Sequence, residues 1–549
     1  KYLPVWDGEL YLEYHRGTYT SMARNKKYNR RSEFACQNLE FFSVLAERML
    51  GTEYPKEVLD ECWQIVLRNQ FHDILPGSAI REVYEVSRGE HEELQQTVAA
   101  LMHSRMAALA PESENITVLN LKGFACDEVV VLPPTQAAAL EDPYGNVHPV
   151  QQTEEGPVVF LENLPAKGFM TLTESGLRQD TGANPDDIPF EITEHGIRTP
   201  FYLVTFDDLG FMTRLYDLKE EREILKRGQR GNLMRMYEDK PMNFDDWDID
   251  IYYQEKGWDI ENLTSMRWVD VGCVRATLAI ERHEGECAFF QRISFYADSR
   301  RIDFETRVDW HVHQHLLKVS FPTTIHSDEA TFEIQFGNVK RKVHTNTSWD
   351  WARFESCGQK WMDFSEGHYG VSLLNDCKYG HSVRDGVISL TLIKSGIEPN
   401  PMCDQGEHVF TYALYPHTGD WRCGTIHEAY KLNQPALAFS GGTAGSLRCL
   451  ADTADRNVML ETIKRAEDGQ GFIVRMYETD NALTRTALDW KGPVAHVEKC
   501  NGLEETMEPL AFERCSDGSA RIPFVIRPYE IVSLRIVEAH NPSEGGASS

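Results

Sequence analysis

Asn69-Gln-Phe-His-Asp-Ile-Leu-Pro-Gly-Ser78 separates two runs of apolar residues at helical spacing, and the chain can be read outward from it. Before it, Leu59, Cys62, Trp63, Val66 and Leu67 form one stripe. After it, a pattern starting at Ser78, a good N-cap, continues through Ile80, Val83, Leu94, Val98 and Leu101 to about Ala110. A third stripe, Leu39, Phe42, Leu45 and Met49, lies within about Arg30 to Leu50. Short connections predict an antiparallel three-helix bundle over 29–110. The stretch also sets an imidazole, His72, beside a carboxylate, Asp73, where helix gives way to turn. Histidine suits a borderline divalent cation such as zinc, and the aspartate suits a ligand hydroxyl or a second coordination position. Without a metal the pair is also ordinary: a histidine at a helix C-terminus interacts favourably with the dipole, and aspartate before Pro-Gly is turn chemistry. Catalytic zinc normally takes three or more protein ligands, so any site needs partners from elsewhere in the fold or from another chain.

Beyond Pro111 the pattern turns to β. Ile116-Thr-Val-Leu119, Val129-Val-Val-Leu132 and Val158-Val-Phe-Leu161 are short strand-like runs between Gly, Pro and Asp. The fold class expected is multidomain and mainly β: the bundle, a small β-domain over 114–178, a large antiparallel sandwich over 185–432 and a C-terminal β-domain over 440–539. The polar tail 540–549 is expected to be disordered. At 549 residues the chain exceeds one core and calls for about three or four domains. A formal charge of -29 excludes a general affinity for nucleic acid and favours a neutral or cationic ligand. No apolar run is long enough for a membrane span. Twelve cysteines without a C-x-x-C pair suit a reducing compartment. A start at Lys1-Tyr-Leu-Pro-Val-Trp, without methionine or signal sequence, predicts that something upstream has been removed.

Glu9-Leu-Tyr-Leu-Glu-Tyr-His15 alternates, which predicts a short strand with Glu9, Tyr11, Glu13 and His15 on one face. That face carries two carboxylates and an imidazole, as a solvated edge strand also would.

Together, Gly8–Ser21, Asn69–Ser78, Asp245-Asp-Trp-Asp-Ile-Asp250, Gly370–Gly380, Asp404–His408 and Tyr415–Gly419 resemble glycoside hydrolase family 38, the retaining α-mannosidases, and specifically the bacterial cytoplasmic type. The resemblance covers essentially the whole chain. It implies that residues 1–28 are the end of an α/β catalytic barrel whose remainder lies outside this sequence. It further implies that His72 is a zinc ligand and that Asp73 binds substrate hydroxyls beside the metal. The acid/base carboxylate would lie shortly before Gly17-Thr-Tyr-Thr-Ser21, with Glu13 the first choice and Glu9 the second. The family's upstream His-x-Asp zinc ligands and its barrel nucleophile are not among these 549 residues. The expected function is therefore zinc-assisted, retaining hydrolysis of terminal α-mannosides, with this chain inactive alone. Expected partners are α-mannoside glycans, the barrel (on the same or a separate polypeptide) and further copies of the chain, in the cytoplasm. The rival expectations are a non-catalytic carbohydrate-binding module and one chain of a two-chain enzyme.

His311, His313 and His315 alternate as a tempting metal face, but the polar and apolar alternation of the preceding run makes them a continuing solvated face. Trp247, Trp349, Trp351 and Trp361 are expected mainly as packing residues. Asn375, Asp376, Lys378 and Tyr379 stay unplaced, and Ser440–Gly445 reads as a linker.

Overall fold

The computed structural model describes residues 3–175 and 187–539. The expected disordered tail 540–549 and the domain limits at 178 and 185 lie outside the described residues.

Three helices form the bundle: α1 (Ala23–Leu50), α2 (Lys56–Asn69) and α3 (Arg81–Leu109). Two shorter helices, α4 (Ser348–Ala352) and α5 (Thr425–Asn433), belong to the large β-region. The first helix starts well before Arg30, because the backbone of Ala23 donates to the Asp404 carboxylate at 2.9 Å. A carboxylate at a helix N-terminus satisfies an otherwise unpaired N–H and complements the dipole. Phe41, Phe42, Val44, Leu45 and Ala46 are all buried, so α1 is enclosed on several faces rather than amphipathic. Its core is shared with Leu94 and Val98 of α3 and with Leu460, Ile463 and Trp490 of the C-terminal domain. The ends of all three stripes depart from expectation: Met49, Leu67 and Ile80 are exposed, because helix ends project past the shared core. The N-cap of α3 is Ile80, not Ser78; the Tyr84 hydroxyl accepts from the Ala79 N–H at 2.9 Å and closes that end instead.

The small β-domain is an antiparallel eight-stranded sheet. Its strand Ile116–Asn120 is flanked by Gly168–Glu174 on one side and by Leu437–Ser440 on the other. Leu447–Cys449 also joins this sheet. The stretch Ser440–Gly445 therefore joins two strands of one sheet and does not link two β-domains.

Between these segments lies the large region, with sheets of five, six and nine strands. Phe304, Phe321 and Tyr412 meet in its core, with the Phe304 and Tyr412 rings stacked 5.0 Å apart. Sheets of four and five strands make the C-terminal domain. All twelve cysteines are unpaired. Among the described residues, no helix is long and apolar enough to cross a membrane.

Candidate active site

Residues 70–80 join α2 to α3 and carry His72 and Asp73 at their exposed edge. Their side chains are 77% and 51% exposed, with Nε2 of His72 3.5 Å from Oδ2 of Asp73. Phe71 supports the imidazole at 4.2 Å. Beneath, the loop is clamped. Nζ of the buried Lys26 donates to the carbonyl oxygens of Ser21, Leu75 and Pro76, at 2.5, 3.0 and 3.1 Å. Burial pulls the Lys26 ammonium down to about 8. The Tyr84 hydroxyl lies 3.2 Å from the Asp73 carbonyl. Gly77 has φ +95°, and a Cβ there would fall 2.3 Å from the Ser21 carbonyl oxygen, so only glycine lets the loop sit this close.

Residues 9–15 are not a strand. Glu13–His15 and Gly17–Tyr19 are turns of 3-10 helix, and the preceding residues are irregular. Alternation alone cannot make a strand where no partner strand offers hydrogen bonds. The segment is held instead by side chains. Arg16 donates to the carbonyl oxygens of Glu13 and Ala352 at 2.8 and 3.0 Å and pairs with Asp248 at 3.3 Å. The Ser21 hydroxyl donates to the Asp246 carbonyl at 2.6 Å. The expected single polar face is thereby dispersed. Glu9 pairs with Arg341 through both oxygens, at 2.5 and 2.8 Å, and the hydrogen bond from Arg341 holds its carboxyl below the usual range. The Glu13 carboxylate is exposed and lies 3.9 Å from Arg16.

Asp246, buried beneath this segment, is pushed up to about 7 by burial, and its Oδ1 has no hydrogen-bond partner among the described residues. Nearby, Asp239 pairs with Lys394.

Among the described residues, no group of three or more His, Cys, Asp or Glu side chains is placed to hold a metal ion. His72 offers an unencumbered imidazole nitrogen that fits a zinc ion as one ligand, and Asp73 an adjacent oxygen.

Family models match residues 13–109 as the alpha mannosidase middle domain, 197–402 as the glycosyl hydrolases family 38 C-terminal domain and 457–534 as the family 38 C-terminal beta sandwich domain. The chain belongs to glycosyl hydrolase family 38. It is 32% identical over 552 residues to alpha-mannosidase 2C1 of Homo sapiens, covering 97% of this chain and 51% of that protein. Alpha-mannosidase G of Dictyostelium discoideum is 31% identical over 582 residues, with 97% and 53% covered. The chain thus spans about half the length of these relatives. An alpha-mannosidase structure from Enterococcus faecalis V583 superposes with a TM-score of 0.77 at 16% identity, covering 95% of this chain and 68% of that one, and so shares the fold.

In this family 38 chain two of the residues left unplaced by the sequence, Asn375 and Tyr379, dock the bundle onto the large β-region. Arg30 of α1 donates to Oδ1 of Asn375 at 2.8 Å and to the Tyr379 hydroxyl at 3.2 Å, and lies over the Tyr379 ring. Lys378 is buried with Nζ 2.5 Å from the Leu392 carbonyl oxygen, and Asp376 has a buried Oδ1 without a partner among the described residues. The strand before the three histidines ends at Trp310, so they do not continue its face; His311 pairs with Asp309 at 2.8 Å, and Nδ1 of His315 donates to the His313 carbonyl at 2.6 Å. Trp361 is core, whereas Trp349 and Trp351 are exposed and Trp6 packs on Trp349 at 5.3 Å. Sequence reasoning missed Lys26 and Arg16; the lysine precedes the expected start of the first helix and the arginine follows the expected strand, so neither carried a periodic signal of burial.

Proposed function

We propose that this chain supplies one wall of the active site of an α-mannosidase that hydrolyses terminal α-mannosides with retention. The observation that carries the reading is the His72–Asp73 pair, clamped from below by Lys26, open above, and set in a mannosidase middle domain. His72 is the proposed zinc ligand in this chain; bound zinc would supply a Lewis-acid anchor for sugar hydroxyls. Asp73 accepts hydrogen bonds from those hydroxyls and fixes the ring. Glu13 is the first choice to protonate the glycosidic oxygen, being exposed and only loosely paired. Glu9 is second, because the Arg341 pair keeps it ionised and a general acid must hold its proton. Retention needs a second carboxylate about 5 Å from the first as nucleophile. That group and the remaining zinc ligands are assigned, by family resemblance, to a barrel outside these residues, so the chain alone is proposed to be inactive.

Exposed apolar side chains favour such a partner: Leu3, Val5, Leu10, Tyr14, Phe71 and Phe244 stand in solvent on or near the segments described above. The barrel, on the same polypeptide or another, is the proposed cover. A cytoplasmic location and assembly with further copies belong to the same reading; the unpaired cysteines suit the former. The exposed Trp6–Trp349 pair favours one alternative, a glycan-binding module without catalysis.

Hydrolysis of p-nitrophenyl α-mannoside, with zinc, by the chain alone and mixed with a barrel-bearing half from a relative tests both. Activity only in the mixture, lost with His72→Ala, is expected. Turnover by the chain alone would refute its inactivity, and mixtures that assemble yet remain inert would favour the binding module.

A further inference from the structure

Between the bundle and the β-domains lies a cavity of about 710 Å³. Lys26, Leu75 and Pro76, beneath the His72 loop, form part of one wall. Its volume falls within the range of small-molecule sites, roughly 300–1,000 Å³.

The charges on its walls balance and are largely spent within the protein. Lys360 pairs with Glu333 at 2.8 Å, Lys26 is held by three carbonyls, and Arg30 is held by Asn375 and Tyr379. Glu461 accepts from the Tyr430 hydroxyl at 2.7 Å, and Glu33 from Gln70 at 2.7 Å. Such a lining has no net charge to offer an ion. By contrast, the Tyr19 hydroxyl and the Gln335 amide line the cavity without a hydrogen-bond partner among the described residues. Both can donate and accept.

An independent observation concerns the rim. Strands Glu329–Ile334 and Gly337–Lys342 are joined by Gln335 and Phe336, and Ile334 pairs with Gly337. Phe336 takes φ +55°, where glycine is the natural residue and an aromatic is costly. Its ring nevertheless stands 41% exposed over the cavity, edge-on to Tyr477 at 5.5 Å. Backbone strain clusters at ligand sites, and here it coincides with a cavity mouth.

We propose that this cavity binds a neutral saccharide, with Phe336 as the stacking platform and Tyr19 and Gln335 meeting its hydroxyls. Aromatic faces pack on the apolar faces of sugar rings while neutral donors and acceptors fix the hydroxyls. The site is separate from the His72–Asp73 edge and needs no metal.

Calorimetric titration of the 549-residue chain with α-1,2-mannobiose and with maltose, in chelator, tests this. Binding of at least one sugar is expected. Phe336→Gly should weaken it tenfold or more while leaving the unfolding midpoint unchanged or raised, since glycine relieves the turn. Phe336→Tyr should retain it, and Trp349→Ala should bind as wild type. If Phe336→Gly does not fold, Gln335→Ala must show the weakening instead. No binding of either sugar, or binding indifferent to Phe336 and Gln335, overturns the proposal. Binding lost with His72→Ala but not Phe336→Gly also overturns it while sparing the proposed function. Cavity binding in a completed enzyme that fails to cleave mannosides does the reverse.

Discussion

Arg30 and His72 belong to one helical bundle and are opposites in how their hydrogen-bonding capacity is met. The guanidinium of Arg30 is buried and has partners in Asn375, Gln359, Tyr379 and Asn433. The imidazole of His72 stands in solvent with, among the described residues, no hydrogen bond beyond its contact with Asp73. A buried charge persists only where its donors are met, so Arg30 reports how the bundle is fixed to the sandwich. An exposed imidazole on a clamped loop contributes nothing to that fixation, and its position serves whatever meets it from outside.

Four substitutions probe the contrast, from the largest effect downward. Arg30→Met strips donors from several buried acceptors and should cost about 3–5 kcal/mol in urea unfolding. A loss below about 1 kcal/mol would break the comparison at its buried end.

Asp246→Asn should act in the opposite direction, and with pH. The folded carboxyl titrates at about 7, far above its usual 3.8, so the native state holds a proton that the unfolded chain has lost. Its stabilising contribution is present below about 4 and is lost as pH rises to about 7. The asparagine variant should therefore gain on wild type as pH rises through that interval, by on the order of 4 kcal/mol at pH 8. Melting curves at pH 5 and pH 8 check the sign. The buried, neutral His91, drawn down to about 4 by burial, opposes this trend in wild type, losing stability as pH falls from about 6.5 towards 4. Because it is common to both proteins, the difference between them isolates Asp246.

Lys26→Met should cost about 1–2 kcal/mol and, more specifically, speed hydrogen exchange at the Gly77 and Ser78 amides, which bond to the Ile74 and Asp73 carbonyls. Unchanged exchange would mean that Gly77 packing alone fixes the loop. His72→Ala should change stability by no more than about 0.5 kcal/mol while removing zinc affinity from the barrel-completed protein. A large stability loss would make the imidazole structural and erase the contrast.

The bundle was legible because helical periodicity depends on local sequence, and the stripes through Leu39, Leu59 and Leu94 lie in its core. The β-rich remainder was legible for a similar reason, through alternation between turn residues. Residues 9–15 misled because alternation encodes which faces differ, not whether a neighbouring strand exists to pair with. His72 and Asp73 stood out through their setting at a helix end. Lys26 and Arg16 did not, since their roles arise from carbonyls and carboxylates brought close only by the fold. The Arg30 hub was half visible: Asn375 and Tyr379 drew notice as a polar cluster, but their partner lies on α1, far away in sequence.

The return of residues 437–449 to the first sheet has a consequence for vectorial synthesis. Ile116–Asn120 emerges before the large sandwich, yet one of its two neighbours is made only after it. Until then a strand bound for the sheet interior is an open edge, with its outward N–H and C=O groups unpaired. The nascent chain must therefore carry a reactive edge through the synthesis of the entire large sandwich, and a chain terminated at about residue 435 would keep it permanently. Such fragments should aggregate edge to edge, although every helix of the bundle is complete.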